Sequence, residues 1–286
     1  MTRRMREARN GWLLIVPLLV GCLIFFSAPL VLTIQYSLTE RGADASLGLG
    51  NFQSMLANRM FRLAFWNTIR FLLVGLPLVL VLGYAIALLL RRYVKRYKLL
   101  RSVLMLPYVM PVVGTVLLAN LLFGSSGVVC GALNKLGVPV TDLLKSPAAF
   151  YVSEGLFLWK STGYAVILLL SGLITIPQDH YDAAALDGAT RFQQLRYITL
   201  PQMWYCTFFT LVFSLINAFK CFREIFLIGG GHPNASVYTL QHFINNSFKN
   251  LNYDKLSVAS ILLLLLLSSL FALFFHWVAR KEAYKE

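Results

Sequence analysis

The chain has 286 residues, of which 58% are apolar and only 13% charged. A soluble domain carries roughly a quarter charged residues, so a water-soluble globular protein is excluded and an integral membrane protein is implied. The net charge of +14 does not point to nucleic acid, because the basic residues gather beside apolar stretches, as topology signals near anionic headgroups do.

A spanning helix needs about 20 mostly apolar residues. Six stretches qualify, near 11–34, 67–90, 103–123, 151–174, 203–228 and 256–279. Hydrocarbon offers the backbone no hydrogen-bond partner and no barrel-like alternation is present, so the fold class is all-α and polytopic, a single transmembrane domain over 1–286. Behind the basic start, Leu19-Val20-Gly21-Cys22 resembles a lipoprotein cleavage box, but the apolar run continues through Leu23-Ile24-Phe25-Phe26. An uncleaved first span follows. The outer segment 39–66 holds Gly48-Leu49-Gly50-Asn51-Phe52, and Phe65-Trp66-Asn67-Thr68 leads into the second span as an aromatic interfacial anchor. Residues 91–101 form a basic connection expected to include a short surface helix. Pro107 and Pro111 are expected to bend the third span, as Pro17, Pro29 and Pro77 bend others. The loops 125–150 and 229–254 are far below the roughly 50 residues of an independent domain. Capture of scarce solute therefore falls to another protein.

With the N-terminus inside, the cytoplasmic segments hold fifteen basic residues. The outer loops hold six: Arg41, Arg59, Arg62, Lys135, Lys145 and Lys249. This asymmetry places both termini in the cytoplasm. Cys22, Cys206 and Cys221 lie within spans and Cys130 in an outer loop, with no metal-ligand spacing.

The segment 177–201 interrupts the apolar pattern. Pro177 suits a helix start, and Asp179 and Asp182 suit the positive end of the helix dipole. Ala183, Ala184 and Ala185 are strong helix formers with a smooth face. Gly188 ends the helix in a left-handed turn. Thr190 and Gln193 have capping-box spacing for a second helix over 191–198, and Pro201 marks its exit. Composition alone also allows an ordinary amphipathic connector.

The layout Asp182-Ala183-Ala184, then Gly188, then Ile198 and Leu200-Pro201 resembles the EAA signature of the membrane subunits of bacterial ABC importers, with Asp182 where that family usually has Glu. Trp159-Lys160, Ile176-Pro177, Phe219-Lys220-Cys221-Phe222-Arg223-Glu224 and Gly229-Gly230-Gly231-His232-Pro233 are similar to the carbohydrate, maltose-transporter-like branch. There is no large outer insertion. The resemblance implies that 177–201 is a helix-turn-helix coupling element docking on an ATPase subunit. It also implies two such ATPase subunits, a second related permease subunit as heterodimer partner, an extracytoplasmic solute-binding protein, and a location in the bacterial inner membrane. The chain lacks a G-x-x-x-x-G-K-[ST] loop, so ATP and Mg are expected on the partners, with no cofactor and no catalytic residue here.

Polar side chains within spans are costly and face a bundle interior or wet cavity. Asn120, Trp159, Lys160, Tyr164, Asn217, Phe219 and Lys220 are the candidate solute-path residues, with Glu154, Arg223 and Glu224 nearer the outer face. Amides, amines and flat rings suit sugar hydroxyls and C–H faces. Lys220 and Glu224 also have the i,i+4 spacing of an ordinary helical pair, and Asn120 or Asn217 that of a helix–helix hydrogen bond. The same architecture carrying a glycerol-phosphate-type or other polar solute is a second reading. A stand-alone secondary transporter is a third; it requires a carboxylate near mid-span and broken-helix repeats.

Overall fold

A computed structural model describes residues 3–40, 46–91, 97–140 and 142–283, with side chains over 12–40, 46–91, 101–140 and 142–276. Of the basic residues used to orient the chain, Arg41, Arg92, Lys95, Arg96 and Lys285 lie outside the described residues. So do residues 92–96 of the basic connection expected to carry a surface helix, while 97–101 begin a helix that runs on to Val109. Among the described residues, five helical stretches are long and apolar enough to cross a membrane: Trp12–Leu38, Arg59–Leu90, Val112–Lys135, Ala149–Thr175 and Tyr253–His276. The chain divides into two compact units, one of Met1–Arg62 with Phe243–Ser268 and one of Leu63–His242 with Ser269–Glu286.

In the first unit, helices α1 (Arg3–Cys22) and α2 (Ala28–Leu38) are joined by a π turn over Leu23–Ser27. Pro29 has no N–H to donate one turn back, and the wider turn absorbs the missing bond. A short antiparallel pair, Thr39–Glu40 with Ser46–Leu47, leads to α3 (Gly50–Ala57). There the Glu40 carboxylate accepts the Gly50 N–H at 2.6 Å, and the Asn51 amide donates to the Thr39 carbonyl at 2.8 Å. The interfacial segment is thus a capped turn. Tyr36 stacks on Tyr253, and Phe61 meets Phe243 edge to face.

The second unit is built around α8 (Ala149–Thr175), which follows α4 (Arg59–Leu90), α5 (Tyr97–Val109), α6 (Val112–Phe123) and α7 (Val128–Lys135) in the chain. Beyond α8 come α9 (Gln178–Leu186), α10 (Arg191–Gln194), α11 (Leu200–Gln202), α12 (Trp204–Lys220) and α13 (Phe222–Gly229); α14 (Leu240–Lys249) and the first half of α15 (Tyr253–Ala283) belong largely to the first unit. The buried face of α8 carries Phe157, Ala165, Val166, Leu169, Leu170 and Leu173. Gly163 brings α5 against it so closely that a Cβ there would lie 1.8 Å from the Leu104 carbonyl oxygen. Small residues at membrane helix contacts serve this purpose. Asn67 of α4 donates to the carbonyls of Ala235 and Tyr238, at 2.6 and 2.9 Å, and Thr68 accepts the Leu240 N–H. The polar pair Asn67-Thr68 therefore pins the loop that follows α13. His242 is fully buried beside Phe222 and accepts the Thr239 N–H at its Nδ1. Burial, and then the charge of His232, lower its pKa to about 4, so it is neutral at ordinary pH.

The second expected span begins earlier than residue 67, since 59–66 of the expected outer segment already belong to α4, and two others are not continuous helices. The third is interrupted at Met110-Pro111, where Pro111 is extended (φ −59°, ψ 147°). Pro107 stays within α5. The stretch 203–228 is not one helix, because it breaks at Cys221 between α12 and α13.

Candidate functional site

Those two breaks meet. The ends of α5 and α12 and the first turns of α6 and α13 border a cleft of about 290 Å³, lined by Tyr108, Pro111, Phe157, Lys160, Ser161, Asn217, Lys220, Arg223 and Glu224 among others. Lys160 Nζ stands 2.6 Å from Glu224 Oε1, with the Glu224 side chain 5% exposed. An amine and a carboxylate withdrawn from water together offset part of each other's desolvation cost. The second oxygen of Glu224 has no hydrogen-bond partner among the described residues, nor has either oxygen of the buried Glu154, which packs near Gly75 and Phe157. The cleft therefore presents three cationic side chains, Lys160, Lys220 and Arg223, against one lining carboxylate.

Of the solute-path residues expected from sequence, Lys160, Asn217 and Lys220 line the cleft. Tyr164 sits one layer back, stacked on Tyr108 at 5.1 Å and meeting Phe213 edge to face. Asn120 turns back to the Val116 carbonyl of its own helix and is exposed. Trp159 is exposed outside the cleft lining, and Phe219 lines a separate, much smaller apolar crevice with Phe71 and Phe222. Glu224 does not form the expected i,i+4 pair with Lys220. The break at Cys221 falls between them, and Glu224 reaches across to α8 instead. Tyr108 and Ser161 also line the cleft; the one sequence signal for them is a tyrosine next to Pro107 within an apolar run.

The segment between α8 and α12 is a helix, a turn and a helix. Gly188 has φ +81°, and its N–H bonds the Ala185 carbonyl while the Ala189 N–H bonds that of Ala184. That double closure is the Schellman arrangement, which places a glycine in the left-handed region. Thr190 and Gln193 form the capping box reciprocally. The second helix does not stop at residue 198. It widens into a π turn over Leu195–Thr199 and runs on through Pro201 to Gln202. The wider turn accommodates the proline's missing donor, as it does before Pro29. Pro177 caps α9 from outside rather than entering it.

This element is fixed on one side and bare on the other. Tyr181 and Met203 are buried in a cluster with Ala87, Val166, Leu169, Leu170 and Leu173, with Ile198 packed against it. Tyr181 also bonds Thr199 at 3.0 Å, while Tyr84 of α4 bonds Thr207 of α12. On the bare side Asp182, Ala183 and Gly188 are exposed, with Leu200 partly so, as are Leu186 (90%), Phe192 (71%) and Tyr197 (70%). Gln178 donates to Asp182 Oδ1 at 3.0 Å. Tyr181 and Met203 thus join the bare face by packing to α8 and α12, the helices that supply Lys160 and Asn217. No Cβ obstruction surrounds Gly188, so Gly188→Ala meets only the left-handed backbone cost of about 1–2 kcal/mol. Gly188→Pro loses the turn altogether. Proteolytic footprinting of the purified variants is expected to show 178–202 protected in the first and cleaved in the second.

Residues 79–284 match the family described as binding-protein-dependent transport system inner membrane component. Over 92% of both chains the sequence is 32% identical to the trehalose/maltose transport system permease protein MalF of Thermococcus litoralis. It is 29% identical, over 96% of this chain and 95% of the relative, to the sn-glycerol-3-phosphate transport system permease protein UgpA of Yersinia pestis bv. Antiqua. A chain in the crystal structure of a bacterial alginate ABC transporter, in complex with its alginate pentasaccharide-bound periplasmic protein, aligns over 95% of this chain and 96% of its own. The TM-score is 0.74 and the identity 25%.

Proposed function

The chain belongs to the binding-protein-dependent transport system inner membrane components, and we propose that its cleft is one half of the path by which an ATP-driven importer passes a sugar or oligosaccharide. The chain is a multi-pass membrane permease of the ABC importer class and not an enzyme. It works with a second related permease, ATPase subunits and an extracytoplasmic binding protein. In this reading six spans cross the bacterial inner membrane with both termini cytoplasmic, and ATP and Mg reside on separate ATPase subunits.

The observation that carries the reading is the buried continuity between a bare helix–turn–helix and a polar cleft. Asp182, Ala183, Ala184 and Gly188 meet an ATPase cleft, and Ile198, Leu200 and Pro201 form the return to α12. When the ATPases close on ATP, Tyr181 and Met203 transmit the movement to α8 and α12, and the space around Lys160, Asn217 and Lys220 opens to the binding protein. Lys220→Ala is expected to cut solute uptake at least about tenfold, the loss of one charge-assisted hydrogen bond in a wet cavity. ATPase subunits remain bound in that variant. Reconstituted vesicles with the cognate binding protein measure both. Uptake by this chain alone, driven by an ion gradient without ATPase, would overturn the importer assignment.

An anionic cargo is the second reading, favoured by the excess of Lys160, Lys220 and Arg223 over Glu224. Glycerol phosphate and uronate oligosaccharides, set against maltose and trehalose in one competition assay, separate the two cargo classes.

A further inference from the structure

Away from the cleft, a second concavity of about 590 Å³ lies where α4 ends, between the start of α9 and the helix that follows Gly188. Its charged lining is entirely cationic: Arg91 and Arg191. Among the described residues no carboxylate stands within ion-pair distance of either. Arg91 is held in place rather than solvated freely. Its guanidinium lies 4.3 Å over the Tyr181 ring and donates to Gln178 Oε1 at 3.4 Å. The other polar groups nearby are already engaged: Gln178 with Asp182, Thr199 with Tyr181. Unused donors in the concavity therefore come from the two guanidinium groups, and its apolar wall is Leu88 and Leu195.

We infer that this concavity is a binding site for a phosphate group, taken from an anionic phospholipid headgroup or from a free phosphate. Two planar guanidinium forks without a carboxylate match phosphate oxygens bidentately. The site follows directly on a long apolar helix, Arg59–Leu90, so it stands at the boundary where headgroups lie. Basic pockets between membrane helices at that depth recognise anionic headgroups, and Leu88 and Leu195 give the glycerol and first methylenes of a lipid an apolar wall. The exposed Leu186, Phe192 and Tyr197 do not line it, so it is separate from the bare docking face. It is nevertheless wired to that face. Arg91 holds Gln178, and Gln178 holds the carboxylate of Asp182. A bound phosphate pins Arg91 and thereby the position of Asp182.

The test is native mass spectrometry of the purified chain, with whichever subunits accompany it, titrated with dioleoylphosphatidylglycerol or dioleoylphosphatidylcholine, with and without millimolar inorganic phosphate. The unmodified protein is expected to retain phosphatidylglycerol in preference. The double variant Arg91→Gln/Arg191→Gln is expected to weaken that retention by about fivefold for each charge removed. Retention that phosphate does not displace assigns the site to lipid. Displacement, with phosphate alone binding to the unmodified protein and not to the double variant, assigns it to free phosphate. Equal retention of both lipids without phosphate binding, or undiminished phosphatidylglycerol binding by the assembled double variant, overturns the site. Should the double variant not assemble, the headgroup comparison on the unmodified protein decides alone.

Discussion

Lys160→Ala is expected to destabilise the chain by about 3–5 kcal/mol, because it leaves Glu224 buried without its counter-ion. The pair is short, 2.6 Å, and the Glu224 carboxylate is nearly sealed from solvent, so water does not replace the lost amine. The second Glu224 oxygen is already without a partner, and no other cation is within ion-pair distance among the described residues. Thermal unfolding of the purified protein in detergent measures the loss. Glu224→Gln added to Lys160→Ala is expected to restore most of the midpoint, since the uncompensated charge is gone. It does not restore uptake, since the cleft has lost both its bridge and a donor. A Lys160→Ala midpoint equal to that of the unmodified protein would show that the pair carries no structural role.

Gly163→Val is expected to be at least as damaging, by a different route. The new Cβ would overlap the Leu104 carbonyl oxygen at 1.8 Å, and the obstacle is backbone, not the end of a flexible side chain. Overpacking costs about 1–3 kcal/mol where side chains yield; here α5 itself must move, which drags Tyr108 from Tyr164 and deforms one wall of the cleft. Gly155→Ala on the same helix is the control, because nothing lies within 4 Å of that position. It is expected to change stability by no more than about 1 kcal/mol, the helix-propensity difference between the two residues. Folded yield and thermal midpoint of the two variants, side by side, separate steric conflict from the mere loss of a glycine.

Much of this fold is legible in the sequence because the bilayer leaves few options. An apolar run of spanning length must be helical, and each expected span is helical over most of its described length, two of them in two pieces. The Gly188 turn and the Thr190–Gln193 box are equally legible, since both are local: the residues that define them lie within one turn of each other. What escapes a linear reading is where a long helix stops. Pro107 and Pro111 are chemically identical signals, yet only the second interrupts its helix. The break at Cys221 carries no proline or glycine at all; the observation beside it is that Glu224, in the first turn of α13, bonds an amine on another helix. That is a pairing at a separation of 64 residues, and it displaces the local Lys220–Glu224 pairing that spacing suggests. The cleft inherits the same limit. Lys160, Asn217 and Lys220 are conspicuous as polar residues in apolar runs, whereas Tyr108 passes as one more interfacial aromatic until the broken third span turns it inward. Asn120 and Trp159 are as conspicuous and lie elsewhere, because composition does not say which way a helix face turns.

At Met110–Pro111 the helix gives way to extended backbone beside the cleft, and irregular backbone in a membrane protein is tolerated where it lines a water-filled cavity. A polar space of about 290 Å³ holds on the order of ten waters. The electrical thickness of the chain is accordingly smaller than its geometric thickness. A voltage that would fall over roughly 30 Å of hydrocarbon is then expected to concentrate on the packed layer of Val166, Leu169, Leu170 and Leu173. A charged molecule beside Lys160 feels little of the field until it crosses that layer, and there the roughly 2.3 kcal/mol per charge per 100 mV is met in one step.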